Sequence, residues 1–78
     1  MEEKLKELIE TYQENLENEC KTAEDKSFMK LQISVVEQAL KHVEQGGELG
    51  TWLTNSELND GDARYAFVDL YDIYINNQ

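Results

Sequence analysis

From Glu3 to Gln45 the chain contains neither proline nor glycine, yet its apolar residues change face halfway. Leu5, Leu8, Ile9, Tyr12, Leu16 and Cys20 recur at steps of three and four, which places them on one side of a helix. Phe28, Met29, Leu31, Ile33, Val35, Val36, Ala39, Leu40 and Val43 form a second set. On a wheel of about 100° per residue the two stripes point in roughly opposite directions. One straight helix would have to bury opposite faces at its two ends, which a second subunit would have to cover. A turn within "TAEDKS", where Thr22, Asp25 and Ser27 are all capping types, is the simpler solution. The pattern therefore predicts helices over residues 3–22 and 26–45, the second stopped by Gly46-Gly47.

Beyond the glycines, Leu49, Trp52 and Leu53 stand at i, i+3 and i+4, the spacing of a short helical turn that docks Trp52. Thr54 with Glu57 matches a capping box for a last helix over 56–76, with Gly61 a weak point inside it. Its segment "YAFVDLYDIYI" is rich in strand-preferring residues, but an alternating reading puts an aspartate in the middle of each face. Helical spacing instead gathers Asp62, Tyr65, Asp69, Asp72 and Asn76 in one strip, opposite Ala63, Ala66, Phe67, Leu70, Tyr71, Ile73 and Tyr74. The expected fold is all-α, a single domain of three helices plus one short helical turn. The apolar arcs of the second and last helices are wider than a surface helix needs. We therefore expect a self-associating bundle, a homodimer, with Phe67, Val68, Leu70, Tyr71 and Tyr74 as the apolar contact set. Gln32 lies inside the second helix's apolar arc. It sits either at a frayed rim or across a dimer interface, where a polar core residue fixes register.

At 78 residues the chain is near the size where one core is marginal. A lone cysteine, Cys20, allows no internal disulfide, and "MEEKLKELIE" has no apolar leader region, so a reducing, cytoplasmic setting is expected. No apolar run approaches the roughly 20 residues of a membrane span. The net charge is −10, and beyond Lys41 the only lysine or arginine is Arg64. That balance opposes direct binding to nucleic acid or to anionic membranes.

No catalytic signature emerges. Cys20 and His42 fall on different predicted helices, with no orienting group or oxyanion hole, and one of each makes no zinc site in a single chain. "NDGD" carries the Asp-Gly of an EF-hand loop, but that register puts Ser56, Leu58 and Phe67 at ligand positions one, three and twelve. "GGELG" lacks the Gly-Lys-Ser/Thr ending of a phosphate loop. We expect no enzyme, no metal and no cofactor.

The best functional candidate is a row of acids. Glu3, Glu7, Glu10, Glu14 and Glu17 alternate steps of four and three along the first helix, with Lys4 and Lys6 off the row. The row extends about 20 Å, and its carboxylates lie about 5–6 Å apart, comparable with phosphates on a nucleic-acid strand. Like charges at this spacing oppose helix stability. Acid runs are commonly just solvated faces that keep a protein soluble. Asp62, Asp69 and Asp72 form a second acidic strip with Tyr65 beside them. The expected function is that of a non-enzymatic inhibitor or regulator binding a basic, nucleic-acid-handling surface on another protein. In size and charge, though in no motif, the chain is similar to the nucleic-acid mimics with which phages and mobile elements block restriction or CRISPR machinery. The other reading is a helical dimerisation or adaptor module that binds through its apolar faces.

Overall fold

In a computed structural model, residues 1–55 and 61–76 are described, Asp62 by its backbone alone. The chain is all-helical: α1 (Glu2–Asn18), α2 (Ala23–Glu44), α3 (Leu49–Asn55), a 3-10 turn (Gly61–Ala63) and α4 (Arg64–Asn76). Residues 56–60, where the last helix was expected to begin, lie outside the described residues, as does Glu57 of the expected capping box. Thr54 belongs to α3, where its hydroxyl donates back to the Gly50 carbonyl at 2.9 Å.

The break between the first two helices falls at 19–22, a few residues earlier than the sequence pattern placed it. Thr22 has extended backbone, and its hydroxyl oxygen accepts from the Asp25 amide at 3.1 Å, so it takes the capping role from Asp25 and Ser27. Two charge effects agree with this. Glu17 and Glu19 sit against the negative end of α1, which has no base in its last turn. In contrast, α2 begins with Glu24 and Asp25 and ends with Lys41 and His42, matching its dipole at both ends. The short connection folds α2 back against α1 as a helical hairpin.

α2 ends in a Schellman motif. The Gly46 amide donates to the Val43 carbonyl and the Gly47 amide to the His42 carbonyl, both at 3.0 Å. Gly46 occupies the left-handed region at φ +93°. Gly47 is crowded for a different reason: a Cβ there would lie 2.1 Å from His42 Nε2, so any side chain would have to displace the imidazole.

One core joins every helix. Leu5 and Tyr12 from α1 meet Met29, Ile33, Val35, Val36 and Ala39 from α2, with Leu49 and Leu53 from α3. Ala63, Ala66, Phe67 and Leu70 close it. Trp52, half-buried, stacks on Phe67 with ring centroids 5.5 Å apart and planes 15° apart. No helix among the described residues is long and apolar enough to cross a membrane.

Gln32 lies within this core, fully buried, not at a rim. Its Nε2 donates to the Phe28 carbonyl at 3.1 Å, and its Oε1 accepts the Ala66 amide at 2.9 Å. Ala66 is the third residue of α4, where helix geometry tends to leave amides without an intrahelical acceptor. Gln32 therefore fastens the start of α4 to α2 within one chain, a role that needs no second subunit.

Candidate functional site

The amphipathic pattern of α1 turns Leu5 and Tyr12 into the core, with Leu8, Ile9 and Leu16 packed beside them. That leaves Glu3, Glu7, Glu10, Glu14 and Glu17 on the opposite face, and all five are exposed. A regular helix fixes their spacing, so the row is a rigid line of charge. Among the described residues one ion pair touches it, Lys4 to Glu7 at 4.0 Å, between two well-exposed side chains. Such a pair contributes little, about 0–1 kcal/mol.

The second acidic strip is used differently from this row. Asp69 is half-buried and accepts the Tyr12 hydroxyl at 2.5 Å, which ties α4 to α1. Burial pushes the Tyr12 phenol well above the ordinary tyrosine range, and the hydrogen bond and charge of Asp69, then Tyr65, act in the same direction. Asp72 is exposed, but with Asp69 it lines a groove between α1 and α4 whose other wall includes Lys4 and Leu8. The side chain of Asp62 lies outside the described residues. Tyr65, 47% exposed, packs against Tyr12 at 5.6 Å and Phe28 at 6.0 Å between ring centroids. Asp69 thus works largely inside the fold, Tyr65 keeps about half its surface in solvent beside it, and the row on α1 is the continuous acidic surface.

The expected apolar contact set divides in the same way. Phe67 and Leu70 are core residues of the single chain, and Tyr74 is half-buried against α3, where a Cβ on Gly50 would lie 2.8 Å from its ring. Phe67 and Leu70 present no free surface, and Tyr74 only part of one. Val68 and Tyr71 are exposed at 58% and 39%, joined by Ile75 at 62%. Ile75, on the far edge of the apolar arc, was outside the expected set. Its position one turn past Tyr71 and two past Val68 was the available signal.

The described residues contain no cluster of three metal-ligating side chains. Cys20 is half-buried beside the core. His42 Nε2 is buried without a hydrogen-bond partner, against Gly47. No family model matches the chain, and neither does any curated protein or solved structure.

Proposed function

We propose that the chain is a non-enzymatic inhibitor or regulator that engages a basic, nucleic-acid-binding surface on another protein through the outer face of α1. The carrying observation is the row Glu3, Glu7, Glu10, Glu14 and Glu17, fully outward, nearly free of internal pairing and held in line by a helix. Such a row presents anionic groups at a fixed pitch to a surface built to track phosphates. A net charge of −10 adds long-range attraction toward a basic partner. Direct nucleic-acid binding is disfavoured by the same charge.

The test is capture of partners from a cell lysate on tagged protein, with heparin or duplex DNA as competitor and a salt series. The reading expects a nucleic-acid-handling protein that either competitor releases. Capture that survives both competitors and high salt, and is unchanged when Glu7, Glu10 and Glu14 are replaced by glutamine, would overturn it.

A further inference from the structure

The outer face of α4 carries Arg64, Val68, Tyr71 and Ile75, all exposed, at spacings of four, three and four. That spacing reads the same in both directions. If a second α4 lies antiparallel on the first, about a two-fold axis between Val68 and Tyr71, the four positions come into register. Val68 meets the other copy's Tyr71, and Arg64 meets its Ile75. Any helical stripe that steps by fours and threes has this symmetry, so the spacing permits an isologous contact, and the choice of occupant rests on charge.

Charge selects the same arrangement. Arg64 makes no ion pair among the described residues. In a parallel pairing the two guanidinium groups would face each other. In the antiparallel one, the stem of Arg64 covers Ile75 and its head reaches toward Asp72, one turn away on the other copy. Asp72 is exposed on the flank of this stripe. The acidic row belongs to α1, not to the helix that carries this stripe.

We propose that α4 is the interface of a homodimer, formed by antiparallel packing of Arg64, Val68, Tyr71 and Ile75 on the same residues of a second copy. α4 has 13 residues, a face about 20 Å long. That is small beside the ~800 Å² per partner of a standard interface. The dimer is therefore weak and concentration-dependent. It is independent of what α1 binds.

The experiment is sedimentation equilibrium of the full chain over a concentration series, in moderate salt to screen the repulsion between copies. The mass is expected to rise with concentration from 9.1 kDa toward the dimer's. Ile75→Glu, at an exposed position, is expected to stay monomeric with unchanged helicity and melting. Arg64→Glu is expected to weaken association roughly tenfold, since the loss counts twice across the axis. The double variant Arg64→Glu/Asp72→Arg is expected to restore it. A chain that stays monomeric at millimolar concentration overturns the proposal. So does association that Ile75→Glu leaves intact, or a charge swap that fails to restore what Arg64→Glu removes.

Discussion

Gln32 and Tyr12 each place one polar group in the core and give it a partner on α4. Replacing Gln32 with alanine strips the Ala66 amide of its acceptor and leaves a space where a fully buried side chain stood. An unsatisfied buried donor costs about 1–3 kcal/mol before any cavity is counted. The denaturation midpoint of Gln32→Ala should fall accordingly. Tyr12 makes stability depend on pH at the alkaline end. Its folded phenol holds its proton more tightly than an unfolded one, which ionises near pH 10. The contribution is thus complete below about pH 10 and is lost as pH climbs from there toward the raised folded value. Tyr12→Phe should melt lower at neutral pH, by about 1.5–3 kcal/mol for a hydrogen bond to a charged group. It should also lose less stability than the parent chain between pH 9 and 11. Neither partnership could be read from the sequence, because each joins groups far apart along the chain. Gln32 stood out only as a polar residue in an apolar arc, and Asp69 looked like one member of an outward strip.

At the scale of the helices, local chemistry was legible and choice of neighbour was not. The change of apolar phase, the Thr22 cap, the Gly46-Gly47 stop and the Leu49–Leu53 turn each depend on residues within one or two turns of one another. Sequence reading therefore found the phase change, the stop and the turn, but offered Thr22 only beside Asp25 and Ser27, and it placed the end of α1 and the start of α2 a few residues late. The wide arc of α4 was equally visible, but width alone does not say which edge the rest of the molecule covers. Packing against α2 and α3 chose Ala66, Phe67 and Leu70, leaving Val68 and Ile75 outside. Gly46 provides the test at this scale. A Cβ there would touch nothing within 4 Å, so the cost of Gly46→Ala is conformational alone. It should be about 1–2 kcal/mol, the penalty for a left-handed L-residue. Gly46→Asn should cost less, since asparagine tolerates that region. Thermal melts of the two variants rank them.

For the molecule as a whole, the acidic row sets stability against binding. Neighbouring glutamates at this spacing repel, so Glu7→Gln/Glu10→Gln/Glu14→Gln should melt no lower than the parent chain and slightly higher at low salt. The same variant should lose affinity for a basic partner, and equal affinity would remove the function proposed for α1. Charge and its alignment were legible at once, because they need only composition and helical period. The bond of Asp69 to Tyr12 and the groove that Asp72 lines were not, because they depend on how α4 lies against α1. The Gln32–Ala66 bond has one more consequence, for how the chain assembles. It closes a loop of 34 residues. Closure of that length costs about 3 kcal/mol in chain entropy by the logarithmic law, more than one neutral hydrogen bond returns. The amide cannot draw α4 in by itself. It is made only when Phe67 and Leu70 are buried in the same event, so this bond and the docking of α4 on α2 form or break together.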